Sequence, residues 1–341
     1  MRRVWATAAL GLAVSVMALV VTTAGATPPG RNGLIAFTRY PGTSGTIFTI
    51  QADGSGTRQV TRPSAGVTDF QPDWSPDGSR IAFERQDPNG PYGVFSVRPD
   101  GSDLQQIDPG CPPGIPKDQI CEETAPAWSP DGKQIAFNNA FGKLKIIGGV
   151  EWIEVGAIAV MDADGANRRQ LTQLRRPTSS EDIEPVWSPD GKRIAFVRLN
   201  STASPRDRQA IFVMNADGTG IRRITPWRLD AGDHPDWSPD GRWILFRSPT
   251  PDGFAGDDLY RVRPDGKGLR QITDYAPEVE VLSASFAPDG KWIVLSRTGR
   301  GRAPDLFAMR PEGKGLRQIT RTTPRDSGPD WVLARAASLA R

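Results

Sequence analysis

A pattern of about twelve residues, Pro-x-Trp-Ser-Pro-Asp-Gly followed by two variable residues and Ile-Ala-Phe, recurs along the 341-residue chain. After a gap of variable length, each copy is followed by a short apolar segment, an Asp-Gly or Glu-Gly pair and a polar segment. The copies begin at Pro72, Pro126, Pro185, Pro235 and, in a diverged form, Ser283. Such repeats indicate a fold of stacked units, because one unit alone cannot bury its apolar face.

Each repeat predicts four short β-strands, which we name A to D. Ser-Pro-Asp-Gly favours a tight A–B turn, because Pro fixes φ near about −65° and Gly adopts positive φ. The Asp-Gly pair favours a C–D hairpin. Strands B and C are almost continuously apolar, as expected for small sheets covered on both faces. We expect the aromatic residue that ends strand A to pack between neighbouring units; these residues are Trp74, Trp128, Trp187, Trp237 and Phe286.

The two ends of the chain supply complementary parts of one more unit. Arg31-Asn32-Gly33 and the following Leu-Ile-Ala-Phe match the A–B turn and strand B without a strand A. Pro329-Asp330-Trp331 matches strand A without a strand B after it. We therefore expect residues 31–333 to form an all-β, six-bladed β-propeller of four-stranded antiparallel blades, followed by a tail at 334–341. Pairing of the last strand with the first blade would close the ring and remove its open edge.

The repeat resembles the WD-like repeat of TolB-type β-propellers, which also occurs in the propeller domains of prolyl oligopeptidase relatives. The resemblance covers residues 31–333 and implies the fold, but it implies little about activity, because the repeated residues are those that build blades. Two departures are expected. The short stretch between Ala26 and Arg31 has no room for the α/β domain that precedes the propeller in TolB, and we find no sequence for the peptidase domain.

Residues 1–26 predict an export signal. Arg2 and Arg3 precede an apolar run from Val4 to Val21, and Ala24-Gly25-Ala26 fits the small-x-small pattern of signal peptidase sites. We expect cleavage after Ala26, a secreted, periplasmic or other cell-envelope location, and no stable membrane insertion afterwards. The alternative is a retained anchor, because about 18 apolar residues can span a bilayer.

Charge and cysteine content narrow the function classes. The formal net charge is +3, and two of these positive charges belong to Arg2 and Arg3 in the predicted signal. This balance gives no indication of a nucleic-acid partner. Cys111 and Cys121 are the two cysteines of the chain. In an exported protein, a pair at this spacing predicts a loop-closing disulfide; two free thiols are the alternative.

The irregular segments of the repeats fall on one side of the predicted ring. The A–B and C–D turns are nearly uniform, whereas the B–C and D–A connections vary, and variable loops on a rigid scaffold are where binding usually resides. This side, the B–C/D–A face, carries the loop 109–125 with the Cys pair. An insertion after Asn138 predicts a projecting hairpin. Trp152 on that arm is either a contact for a partner or part of the hairpin's own packing.

Acidic residues recur just before strand A, where they would surround the channel mouth on this face. We expect them to attract a cation or a basic peptide segment; solvated carboxylates without a partner are the alternative. The candidate binding residues are Asp69, Glu123, Asp182, Glu184, Asp233, His234 and Asp326. Three further carboxylates, immediately before the aromatic, either line the channel or bond to neighbouring backbone: Asp73, Asp236 and Asp330.

The sequence offers little for catalysis. His234 is the single histidine, and no Gly-x-Ser-x-Gly segment occurs, so we predict no Ser-His-Asp triad and no catalytic residue. We expect a monomeric binding module, without a cofactor, for an envelope or extracellular protein or peptide. The alternative is a metal-dependent propeller enzyme, a lyase or hydrolase, with Ca²⁺ or Mg²⁺ held by oxygen ligands at the channel mouth.

Overall fold

The structure is a computed structural model that describes residues 30–88, 93–108, 119–147, 150–153, 156–173, 180–200, 208–249, 257–299 and 301–334. Within these residues the chain is almost entirely β, and the one helix is a 3-10 turn at Trp227–Leu229. The predicted signal and Cys111 lie outside the described residues. Cleavage and the disulfide therefore stay predictions.

The strands follow the order that the repeats predict. In the first half of the chain they are β1 (Asn32–Tyr40), β2 (Thr46–Ile50), β3 (Arg58–Gln59), β4 (Thr68–Trp74), β5 (Ile81–Gln86), β6 (Gly93–Val97), β7 (Gln105–Gln106), β8 (Gln119–Trp128), β9 (Gln134–Ile147), β10 (Val150–Ile153), β11 (Gly156–Asp162) and β12 (Arg169–Gln170). In the second half they are β13 (Ser180–Trp187), β14 (Arg193–Asn200), β15 (Gln209–Asn215), β16 (Arg222–Arg223), β17 (Gly232–Trp237), β18 (Ile244–Pro249), β19 (Asp257–Val262), β20 (Arg270–Gln271), β21 (Val281–Phe286), β22 (Ile293–Gly299), β23 (Arg302–Met309), β24 (Arg317–Gln318) and β25 (Arg325–Leu333).

Four sheets have four strands each, in the orders β25-β1-β2-β3, β4-β5-β6-β7, β17-β18-β19-β20 and β21-β22-β23-β24. The remaining sheet has nine strands. Two antiparallel runs, β8-β9-β11-β12 and β13-β14-β15-β16, are joined by one parallel bridge between Gly156 and Glu181, and β10 pairs with β9 as the ninth strand. We number these runs as units 1 to 6 in chain order, with unit 1 made of β25 and β1–β3. That each unit is one blade of a six-bladed ring stays a prediction.

The last strand pairs with the first, as predicted. β25 runs antiparallel to β1, with Ile35 opposite Trp331 and Tyr40 opposite Arg325. The A strands contact one another in the order β25, β4, β8, β13, β17 and β21, and β21 contacts β25 again. The sheets therefore form a closed cycle, in which β1 has a partner on both edges.

The apolar core lies between neighbouring units. Trp74 of unit 2 packs in one cluster with Ala36, Ile47 and Val332 of unit 1. Trp128 of unit 3 packs in the same way against residues of unit 2. Burial of a large apolar side chain contributes about 1.5–3 kcal/mol, so these contacts hold the units together. The predicted role of the strand A aromatics is therefore observed.

The recurrent serines belong to the A–B turns. Ser75 Oγ donates a hydrogen bond to Asp77 Oδ1 at 2.7 Å and accepts one from the backbone N–H of Arg80 at 2.9 Å. Ser129, Ser188 and Ser238 bond in the same way within their own turns. Gly78 adopts a φ of 66°, which the turn requires. These hydroxyls stabilise turns that position strands A and B.

Candidate functional site

Three of the predicted binding carboxylates are buried in two-pronged ion pairs. The Nε of Arg85 donates to Asp69 Oδ1 at 2.6 Å, and its Nη2 donates to Oδ2 at 2.8 Å. Arg198 bonds Asp182 with the same two distances. Arg39 bonds Asp326 at 2.7 and 2.8 Å, which links β1 with β25. All three carboxylates are 0 % exposed. Each carboxylate is therefore paired with a guanidinium of the same unit.

The same guanidinium groups cover aromatic rings. In unit 2 the guanidinium carbon of Arg85 lies 5.6 Å from the ring centroid of Phe83 and 4.9 Å from that of Phe95. Arg39 and Arg198 stack on phenylalanine pairs in units 1 and 4. Such stacking stabilises a cation while its edge binds a carboxylate. We call this arrangement of acid, arginine and two aromatic rings the arginine module.

Unit 3 builds a variant of this module. Glu123 faces Asn139 across β8 and β9, so the cross-strand position holds no arginine. The cation comes instead from Arg168, which contacts the Glu123 carboxylate, bonds Asp108 at 3.2 Å and lies 5.0 Å from the ring of Phe137. Like the first three acids, Glu123 is 0 % exposed.

These pairs change the electrostatics that the sequence suggested. We expected the acids to give the mouth an open negative charge, but each of the four carboxylates is buried against an arginine. Burial raises the pKa of Asp182, and the bond and charge of Arg198 oppose that rise. Binding of a partner by these four acids stays a prediction, whereas their structural bonds are visible.

The aspartates before the strand A aromatics bond to the next unit. Asp330 Oδ2 accepts a hydrogen bond from the backbone N–H of Trp74 at 2.8 Å, and Asp73 does so from Trp128 at 2.7 Å. Asp236 accepts one from Phe286 at 2.6 Å. Of the two roles left open by the sequence, bonding to neighbouring backbone is the one observed.

Two of these aspartates are held in an environment that favours the neutral acid. Burial raises the pKa of Asp236 well above its usual range, and the charge of Asp330 raises it further. Burial also raises the pKa of Asp330, to about 7, although N–H donors from Trp74 and Trp331 oppose the rise.

Five of the A strands contain a strained bulge just before their proline. The residue just before the strand's proline has a positive φ: Gln71 (56°), Ala125 (57°), Glu184 (55°), His234 (60°) and Gly328 (59°). This conformation is unusual for a residue other than glycine and for a residue before proline. Pairing with strand B shifts register there, and bulges re-aim side chains.

Two of the predicted site residues meet at these bulges. The backbone N–H of His234 donates to Glu184 Oε2 at 2.6 Å, and both residues are buried. Asp233 precedes His234 in β17, but its side chain lies outside the described residues. The six candidates whose side chains the structure describes are therefore divided between separate contacts. Four lie in separate ion pairs, and Glu184 and His234 join units 4 and 5.

The insertion after Asn138 forms the arm that the sequence predicts. β9 continues past Ala140, its last residue paired with β11, to Ile147, and then pairs with β10. Pairing with β8 ends at Lys143, so the part of β9 beyond its own unit is four residues, about 13 Å at 3.3 Å per residue. Trp152 lies opposite Lys145 in the arm, and Cys121 lies opposite Phe141 at its base. The side chains of the arm lie outside the described residues.

The described residues do not fit a metal centre. Among them, no group of three or more His, Cys, Asp or Glu side chains is placed to hold an ion. We therefore derive no metal-dependent step.

A cavity of about 650 Å³ lies on the side of the A–B and C–D turns, between units 1 and 2, and Gln51, Trp74 and Val332 are among its lining residues. It lies away from the predicted binding face.

These features define an all-β propeller scaffold in which most repeated polar residues build the ring. No protein-family model matches the chain. A TolB homolog of Chlorobium luteolum is 37% identical over 130 residues, which is 37% of this chain and 25% of that protein. Dipeptidyl-peptidase 5 of Porphyromonas endodontalis is 26% identical over 244 residues, 62% of this chain and 34% of that protein. The chain thus spans about a third or less of these relatives.

Solved structures give the same fold class. TolB of Acinetobacter baumannii superposes with a TM-score of 0.63 at 19% identity, covering 89% of this chain and 67% of that chain. A TolB-like protein of Agrobacterium tumefaciens gives 0.61 at 21% identity and covers 87% of this chain and 92% of that one. An oligogalacturonate lyase in complex with manganese gives 0.52 at 15% identity, covering 86% and 74%. The fold is that of TolB-like propellers.

In the part of the chain that the structure describes, every helix is too short or too polar to cross a membrane.

Proposed function

We propose that the chain is an exported TolB-like propeller that binds a protein or peptide in the cell envelope through its B–C/D–A face. The observation that carries this proposal is the β9–β10 arm, which extends about 13 Å past Lys143, the last residue of β9 that pairs with another strand of its own unit. A two-stranded arm of this kind contributes little to the ring itself. It would offer a strand pair to a partner on a rigid base.

The arginine modules also support this proposal, because they make the binding face rigid. Because Asp69, Asp182 and Asp326 are used inside their units, the base of the face is fixed before any partner arrives. A preorganised surface loses less conformational entropy on binding. The similarity to TolB proteins supports a partner in the envelope, where the predicted signal at residues 1–26 would direct the chain.

Site-specific photo-crosslinking tests the proposal. A photoreactive amino acid replaces Trp152 in the arm, and the matched control carries it at Leu269, a 40 % exposed residue beside the C–D turn of unit 5. We expect position 152 to crosslink one discrete envelope protein in intact cells and position 269 to give none. Equal products at both positions, or none at position 152, would contradict the proposed face.

The second candidate is a metal-dependent lyase or hydrolase that uses Glu184, His234 and Asp233. What favours it is the contact of His234 with Glu184 and the fold shared with a manganese-bound lyase. Calorimetric titration of Ca²⁺, Mg²⁺ or Mn²⁺ into the mature chain tests it. Binding that disappears in His234→Ala favours the enzyme, and unchanged binding in that variant removes His234 from the site.

A further inference from the structure

The arginine module is incomplete in unit 6. In units 1, 2 and 4 the arginine of strand B faces an aspartate of strand A across the sheet; these register pairs are Arg39 with Asp326, Arg85 with Asp69, and Arg198 with Asp182. At the same register position in unit 6, Arg297 of β22 faces Val281 of β21. The acid is replaced by an apolar side chain, and the arginine remains.

Arg297 still stacks on two aromatic rings, although Leu295 replaces the strand B ring and Tyr275 of unit 5 supplies the second one. Its guanidinium carbon lies 5.0 Å from the ring centroid of Tyr275 and 4.5 Å from that of Phe307. These distances match the stacking of Arg39, Arg85 and Arg198 on their rings. The cation is therefore stacked on aromatic rings at distances similar to those in the other units.

Within the described residues, Arg297 forms no ion pair, and its Nε is buried without a hydrogen-bond acceptor. The side chain as a whole is partly exposed, at the strand end that leads to the B–C loop. Of its nitrogens, Nε is the one that is fully buried without a partner. The terminal nitrogens remain within reach of a group that approaches from solvent.

The acid across β22 and β23 does not neutralise this arginine. Asp305 is the register partner of Arg297, but its carboxylate accepts hydrogen bonds from Gln318 Nε2 at 2.9 Å, Thr320 Oγ1 at 3.1 Å and the backbone N–H of Thr322 at 3.1 Å. These donors orient it toward strand D. Asp258 has the corresponding bonds in unit 5, so the arrangement belongs to the scaffold.

We propose that Arg297 is a binding site for a carboxylate that does not belong to this chain. The rings of Tyr275 and Phe307 stack against the guanidinium, and an incoming carboxylate would bind its terminal nitrogens in plane. Two sources share this chemistry: an acidic side chain of a peptide and a small organic acid. The site does not depend on the partner proposed above, because it requires only the geometry of unit 6.

The test uses the purified mature chain and three defined probes: a capped hexaglutamate peptide, its hexaglutamine counterpart and succinate. Binding is followed by the NMR shift of the Arg297 Nε–H group and by calorimetry. We expect hexaglutamate, succinate or both to bind and hexaglutamine not to bind. Binding of the peptide alone identifies a side-chain source, and binding of succinate alone identifies a small acid.

Two variants and a control decide whether the site is Arg297. Val281→Asp supplies the missing acid inside the unit and should weaken probe binding by about tenfold or more, since a bidentate pair already occupies the guanidinium. Arg297→Gln should abolish binding. Arg302→Gln, which removes an exposed charge at the start of the neighbouring strand β23, should change the affinity less than about twofold.

Two results would show that Arg297 is not a carboxylate-binding site. If none of the probes binds the wild-type chain, or if Arg297→Gln binds them as tightly as wild type, the proposal is wrong. Neither result bears on the crosslinking at Trp152, which reports the protein partner. Thermal unfolding of both variants shows whether unit 6 is intact, and Arg297→Gln remains the deciding variant should Val281→Asp not fold.

Discussion

The carboxylate of Asp330, on the last strand, accepts a hydrogen bond from the backbone N–H of Trp74, 256 residues earlier in the chain and 2.8 Å away. Its other oxygen accepts one from Ser285 Oγ of unit 6 at 3.4 Å. One buried side chain of the closing strand therefore bonds to the units on both sides. Asp73 and Asp236 repeat the contact with the next unit elsewhere in the ring.

Replacing Asp330 should show how much its hydrogen bond with Trp74 contributes to the free energy of unfolding. Asp330→Ala leaves the buried N–H of Trp74 without an acceptor, which costs about 1–3 kcal/mol of unfolding free energy. Asp330→Asn keeps an oxygen acceptor and should cost clearly less at pH 7. Urea unfolding measures both variants against wild type. Equal losses in the two variants would show that the hydrogen bond is not the cause.

Stability should fall as pH rises from about 4 to about 7. The folded-state pKa of Asp330 is about 7, above its ordinary value of 3.8, so the folded state holds the proton more tightly than the unfolded chain. The stabilisation is complete below the unfolded pKa and is lost as pH rises through the folded pKa. The pKa of Asp236 is raised in the same direction. Asp330→Asn should flatten the profile, and an equally steep slope in that variant would contradict the assignment.

Loss of the arginine from a module should destabilise the protein more than loss of the acid. Arg85→Ala leaves the fully buried carboxylate of Asp69 without its cation, and breaking a buried pair in this way costs about 3–5 kcal/mol. Asp69→Val reproduces the arrangement that unit 6 already tolerates at Val281 and Arg297. We expect the valine variant to lose less stability than the alanine variant in urea unfolding. The reverse order would show that the stacked arginine destabilises the protein when its acid is absent.

Removal of the final strand should open the ring. Deleting residues 330–341 removes Trp331, which is 1 % exposed, together with Asp330, and it uncovers the edge of β1. We expect loss of cooperative thermal unfolding and a tendency to aggregate. Deletion of 335–341 alone is the matched control and should leave the melting temperature unchanged. A cooperative transition at the wild-type temperature in the longer deletion would contradict ring closure.

The sequence contains a repeated spacing that predicts two of the arginine modules. Asp69 and Arg85 are 16 residues apart, and so are Asp182 and Arg198. This repeated spacing places an acid at the start of strand A opposite a base at the end of strand B. Reading the acids alone suggested an open negative mouth. Reading both partners would have indicated ion pairs in units 2 and 4.

The sequence by itself determined the β-strands, the turns and the closure of the ring. These features depend on local chemistry: Pro and Gly fix the turns, short apolar segments give strands, and the half units at Asn32 and Trp331 complement each other. The tertiary structure decided which charges are neutralised. Arg168 reaches Glu123 from the position just before β12, whereas Arg297 faces Val281 and no acid of strand A, because such pairs depend on strand register and on which side chains share a face.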